Sequence, residues 1–168
     1  MRRGVGMLEI PKDVSGGGKV DLDIEVAAPQ ELVWRVFTDV ERWPQYSDIY
    51  EFVRWQTAER WRVGSSFDGR MLWPFPLTMR YVIMDYRAPY EVRWLVHAIG
   101  IVIERWTRFI PLGTERTEIV TSAIFIGKST EEIPGEVGDL LPQYTQRLYA
   151  DFKRAAEAEA LKLKKPGA

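Results

Sequence analysis

The chain has 168 residues and a formal net charge of −1, a length that suits one domain. Hydrophobic residues make up 46% and charged residues 28%, which excludes a disordered or fibrous chain and leaves no strong overall field to attract nucleic acid. Cysteine is absent and His97 is the single histidine, so disulfides, thiol nucleophiles, iron–sulfur clusters and zinc sites built on cysteine or paired histidines are excluded too.

Residues 1–18 hold five of the thirteen glycines and read as a flexible arm ahead of a single domain over 19–165. The start, Met1-Arg2-Arg3-Gly4, is basic but lacks the apolar stretch of a signal peptide. No run of about 18 apolar residues follows anywhere, so the expectation is a cytoplasmic protein with no integral membrane segment. Gly16-Gly17-Gly18 is not followed by the Lys-Ser/Thr of a phosphate loop.

From Lys19 the pattern alternates. Val20, Leu22, Ile24 and Val26 face one way and Lys19, Asp21, Asp23 and Glu25 the other, as in a half-buried strand whose acids form its solvated face. Pro29 suits a first helical turn, and Val33, Val36, Phe37 and Val40 recur at helical spacing over 29–40. A second helical turn follows around 41–46, marked by Trp43-Pro44.

Six candidate strands come next, over 49–56, 66–73, 77–86, 90–98, 101–110 and 116–126. They are separated by Gly64-Ser65, Pro74-Phe75-Pro76, Ala88-Pro89, Ile99-Gly100 and Leu112-Gly113. Connections this short join antiparallel neighbours into a meander. Residues 128–139 read as a loop or turn. Leu141, Tyr144, Leu148, Phe152 and Ala155 then step by three or four, the stripe of an amphipathic helix over about 140–162, roughly 34 Å long. Pro142 belongs near its first turn or at a kink. The basic end, Lys162-Leu163-Lys164-Lys165, places cations where the helix dipole favours them, with contact to anionic lipid as the weaker alternative. A sheet with one long helix to cover it curves around that helix and leaves a hollow between them.

The order of several short motifs resembles the START-like superfamily, also called SRPBCC, and within it the polyketide cyclase/dehydrase-type proteins. The run Ile24-Glu25-Val26-Ala27-Ala28-Pro29, then Val33-Trp34 and Thr38-Asp39-Val40-Glu41-Arg42-Trp43-Pro44, is like the family's opening strand, helix start and "D-x-x-x-W-P" turn. Arg62-Val63-Gly64, Ala88-Pro89 and Pro111-Leu112-Gly113 stand at its later strand boundaries, so the resemblance covers about residues 20–160. It implies the helix-grip fold of the birch-pollen allergen. That is an α+β domain whose seven-stranded curved antiparallel sheet grips a long C-terminal helix around a deep apolar cavity, with two short helices after strand 1. It does not imply one chemistry, since carriers, sensors and enzymes share the fold.

Chemistry-bearing motifs are few. Gly64-Ser65-Ser66-Phe67 lacks the second glycine of a nucleophile elbow, no dinucleotide or Walker motif is present, and no cofactor or metal is expected. His97, alone on a strand, reads as a surface or hydrogen-bonded residue. The cavity wall is the place to look. Tyr90, Val92, Trp94 and Val96 share the apolar face of their strand. A two-residue Ile99-Gly100 loop pairs Trp94 with Arg105 and turns Ile103, Arg105, Thr107 and Phe109 inward. A three-residue loop turns Val102, Glu104, Trp106 and Arg108 inward instead. The first register buries fewer charges and is the one expected. Arg105 then either holds a ligand oxygen through its guanidinium fork or snorkels to the cavity mouth or pairs with a strand carboxylate.

The expected ligand-binding residues are therefore Phe37, Trp73, Met79, Tyr81, Trp94, Arg105, Phe109, Tyr144, Leu148 and Phe152. Trp73 enters through Leu72-Trp73-Pro74-Phe75-Pro76-Leu77, which reads as a lip over the entrance, a partner contact or simple packing. The expected function is binding of a hydrophobic small molecule (a lipid, quinone or polyketide-like aromatic), with an aromatase/cyclase-type enzyme as the alternative and a protein-interaction module third. Seven Trp, seven Tyr and seven Phe suit such a lining. The stretch Asp39-Val40-Glu41-Arg42-Trp43-Pro44-Gln45-Tyr46 is also similar to a run in the quinone-binding branch of the superfamily. A small-molecule ligand, no nucleic acid, and a monomer or homodimer complete the expectation.

Overall fold

The computed structural model describes residues 19–126 and 135–164, with side chains in the second span from Leu140 onward. The expected arm over 1–18 and residues 128–134 of the loop expected over 128–139 lie outside the described residues, while 135–139 are helical. Strand β1 (Lys19–Val26) leads into helix α1 (Gln30–Thr38), a single 3-10 turn and helix α2 (Trp43–Tyr46). The meander follows as β2 (Tyr50–Trp55), β3 (Ser66–Met71), β4 (Leu77–Arg87), β5 (Glu91–Ala98), β6 (Ile101–Pro111) and β7 (Thr117–Ile126), and helix α3 (Gly135–Leu163) closes the chain.

All seven strands form one antiparallel sheet in the order β1-β7-β6-β5-β4-β3-β2. The first strand thus returns to pair with the last, leaving β1 and β2 as the two edges. The helices α1 and α2 bridge these edges while α3 lies across the inner face. This is the helix-grip fold. Its inner face carries Val26, Phe67, Tyr81, Ile83, Val92, Trp94, Phe109 and Ile119, all buried against Val33, Phe37, Trp43, Leu148, Tyr149 and Phe152 of the helices. The alternation in β1 explains its place: Lys19, Asp21, Asp23 and Glu25 are exposed, while Val20 and Val26 are buried.

The β5–β6 connection is the two-residue loop. Ala98 pairs with Ile101 and Trp94 with Arg105, and Ile99 and Gly100 take φ of 50° and 70°. Two successive positive φ values match the right-handed twist of the flanking strands, as in a type I′ hairpin. Ile99 is strained in that conformation because of its branched Cβ. Its side chain is left in solvent.

Of the boundaries that differ from expectation, two bear on the site. Helix α3 begins at Gly135 rather than near residue 140, so Gly135 and Gly138 fall in its first turn, where the N–H groups have no intrahelical partner to lose. Pro142 consequently lies inside the helix. Tyr90, expected on the inner face of β5, is 58% exposed because the strand starts one residue later. It occupies a turn instead, its N–H bonded to the Arg87 carbonyl. No helix among the described residues is long and apolar enough to cross a membrane.

Candidate functional site

Where α3 crosses the sheet, Phe37, Trp43, Tyr50, Met79, Tyr81, Trp94, Arg105, Tyr144, Leu148 and Tyr149 enclose a cavity of about 30 Å³. That is room for about one water molecule. Drug-sized ligands occupy roughly 300–1,000 Å³, so the deep hollow implied by the resemblance is closed in this conformation, filled by aromatic rings. Phe37 stacks on Trp94 with centroids 5.3 Å apart, Phe67 stacks on Tyr81 at 4.5 Å, and Trp43 meets Trp94 at 5.9 Å.

Arg105 is the cation of this interior, 5% exposed. Its Nη1 donates to Thr121 Oγ1 at 2.9 Å and its Nη2 to Thr145 Oγ1 at 2.7 Å, and its guanidinium lies 5.4 Å from the centre of the Tyr149 ring. Thr121 in turn donates to the Trp106 carbonyl, while Thr107 bonds the Tyr149 hydroxyl at 2.7 Å. Among the described residues no carboxylate pairs with Arg105. Hydroxyls hold its direction but leave its charge uncompensated, and an unpaired buried charge is costly.

Beside it, the hydroxyls of Tyr50, Tyr81 and Tyr144 converge. Tyr50 bonds Tyr81 at 2.7 Å and also bonds Tyr144, which stands 3.5 Å from Tyr81. Gly69 admits this cluster: a Cβ there would meet the rings of Tyr50 and Tyr81 at 3.2 and 3.3 Å. Burial pushes the Tyr50 and Tyr81 phenols well above their ordinary pKa, reinforced by the neighbouring Tyr144. Burial raises Tyr144 as well, against opposing hydrogen bonds from Tyr50 and Tyr81 and the charge of Arg105. The three phenols are therefore neutral, and the cavity's polar groups include the Arg105 guanidinium, these three hydroxyls and the Trp94 indole.

Seven of the ten expected ligand-binding residues line the cavity: Phe37, Met79, Tyr81, Trp94, Arg105, Tyr144 and Leu148. Three stand apart from it. Phe109 packs in the core against Trp34 and Phe37, and Phe152 packs against Phe37, Trp43 and Tyr149. Trp73 is half-buried, with the Arg147 guanidinium of α3 over its ring at 4.5 Å. Arg147 also pairs with Asp48 at 2.5 Å, so the 72–77 segment packs against the body and is tied to α3. The sequence reading missed Trp43, Tyr50 and Tyr149. A register shift between Tyr50 and Phe52 turns Tyr50 inward against the parity of Val53 and Trp55, and a stripe of fixed spacing excluded Tyr149, which is fully buried next to Leu148.

A larger groove of about 410 Å³ lies beside the β5–β6 hairpin, bordered by Asp68, Thr78, Arg80 and His97. Its arginine is already neutralised, since Arg80 donates to both Asp68 carboxylate oxygens at 2.8 and 3.0 Å. His97 is exposed there, opposite Val102 on the outer side of the sheet and away from the cavity. No group of three or more metal-ligating side chains occurs among the described residues.

Residues 18–160 match the model of the family described as polyketide cyclase/dehydrase and lipid transport. Solved structures share the architecture. A START superfamily protein from Mycobacterium smegmatis is 16% identical, with 87% of this chain and 99% of that one covered and a TM-score of 0.65. The ZhuI aromatase/cyclase from Streptomyces sp. R1128 is 18% identical, with 89% and 97% covered and a TM-score of 0.67. Ara h 8.0201 is 10% identical, with 83% and 97% covered and a TM-score of 0.70. At these identities the likeness shows the fold alone. No curated protein matches the sequence.

Proposed function

Because this chain belongs to the polyketide cyclase/dehydrase and lipid transport family, we propose that it binds an apolar, partly aromatic small molecule bearing an acidic oxygen between the sheet and α3. The observation that carries this reading is Arg105, a buried guanidinium among hydroxyls with no carboxylate beside it among the described residues. A carboxylate, phenolate or enolate on the ligand supplies the missing charge and accepts charge-assisted hydrogen bonds. Room for the ligand comes from the tyrosine cluster. When Tyr144 leaves Tyr50 and Tyr81, α3 separates from the sheet at the point where the aromatic rings close the cavity.

The second reading is aromatase/cyclase-type chemistry on such a ligand, favoured by one observation: the hydroxyls of Tyr50, Tyr81 and Tyr144 converge in the cavity that Arg105 also lines. Neutral phenols and a guanidinium polarise a carbonyl toward its enolate, a task of positioning and electrostatics.

Titration of the wild-type chain with 2-naphthoate and with its methyl ester tests the binding reading by calorimetry. The acid binds more tightly than the ester, and Arg105→Met, of similar length, removes that preference while keeping the ester's affinity. Equal affinity of acid and ester for the wild-type chain refutes the role given to Arg105.

A further inference from the structure

Trp94 sits directly opposite Arg105 across the β5–β6 pair, and both side chains line the cavity. The indole is 2% exposed. Its Nε1 is the one polar atom of the lining that is wholly buried without a hydrogen-bond partner among the described residues. Aromatic rings surround it. Phe37 stacks on its face at 5.3 Å, while Tyr81 and Phe67 meet it edge-on at 5.5 and 5.8 Å. Neither Phe37 nor Phe67 offers an oxygen, and the Tyr81 hydroxyl is engaged with Tyr50 and Tyr144. A buried donor without an acceptor is unfavourable, and such orphans cluster where function needs the group.

We infer that the Trp94 indole N–H is a second ligand-binding donor, and that with Arg105 it selects a molecule carrying a neutral acceptor oxygen, such as a ketone, set apart from its acidic group. This rests on the binding reading above and adds the chemical class of the second oxygen. Directly opposed side chains have Cβ atoms roughly 5 Å apart, and Arg105 carries its guanidinium away from β5 toward Thr121 of β7 and Thr145 of α3, so the two donors stand apart across the cavity and not side by side. An acid with its carbonyl across a small aromatic frame reaches both donors. A purely hydrocarbon acid satisfies Arg105 and leaves the indole N–H orphaned, so it binds less tightly.

The probes are 3-acetylbenzoate and 3-isopropylbenzoate, alike in shape and charge and different in one ketone oxygen. The acetyl acid binds the wild-type chain about tenfold more tightly, the effect of one hydrogen bond to a buried donor, and Trp94→Phe brings the two affinities together. In the nitrogen-15 NMR spectrum of the wild-type chain, the Trp94 indole proton, assigned by through-space contacts, moves downfield with the acetyl acid alone. This measurement needs no variant to fold. Equal shifts from both probes, or an affinity difference that survives Trp94→Phe, overturn the inference and leave the role of Arg105 standing. If neither acid binds, both readings fall together.

Discussion

Three phenols packed hydroxyl to hydroxyl set how the interior responds to alkali. Tyr50, Tyr81 and Tyr144 are raised above their ordinary pKa first by burial, so the folded chain keeps their protons after the unfolded chain has lost them near pH 10. Above that pH the native state binds more protons than the unfolded state. The stability they contribute is therefore complete below about pH 10 and is lost as pH rises, by about 1.4 kcal/mol per pH unit for each phenol. Followed by tyrosinate absorbance, at least three of the seven tyrosines stay unionised until the chain unfolds. Ionisation of all seven in the native state contradicts the cluster. The inward position of Arg105 was legible in the sequence, because parity on β6 and the charges spared by a two-residue loop pointed the same way. The tyrosine cluster was not legible. It needs the irregularity near Tyr50 in β2 and the bare backbone of Gly69, and neither leaves a periodic signal.

At the scale of elements, α3 binds the sheet through a broad stripe. Phe152 is 1% exposed and touches the rings of Phe37, Trp43 and Tyr149. Phe152→Ala removes a ring from the centre of this packing and costs about 3–5 kcal/mol in denaturant melts. A cost below about 0.5 kcal/mol places the residue outside the core. The stripe Leu141, Tyr144, Leu148 and Phe152 was readable from its spacing, but the start of the helix was not, since Gly135 and Gly138 look like loop residues unless they fall in a first turn. The β5–β6 loop was placed at Ile99-Gly100 by its glycine and by the charges that a two-residue turn spares, although a type I′ turn favours Asn-Gly and here Ile99 takes the strained position. β5 starts one residue later than expected, which leaves Tyr90 in solvent.

For the whole molecule, sheet and helix grip an interior that is nearly full. The seven-stranded sheet, α1 and α2 between its edges and α3 across its inner face follow from alternation in β1, turn formers between the meander strands and a single amphipathic helix. The size of the hollow does not follow from these. It depends on how far the inward-facing aromatic side chains fill the space that the backbone leaves, and in this conformation they leave about 30 Å³. On the proposed function, binding requires α3 to separate from the sheet at Tyr144, against the Arg147 contacts to Asp48 and Trp73. The most direct measurement is a crystal structure of the chain grown with 2-naphthoate. The account predicts the naphthyl ring among Trp94, Tyr81 and Met79, its carboxylate on the Arg105 guanidinium, and Tyr144 displaced from Tyr50. A closed interior with the acid seated only in the outer groove beside Arg80 and His97 would contradict it.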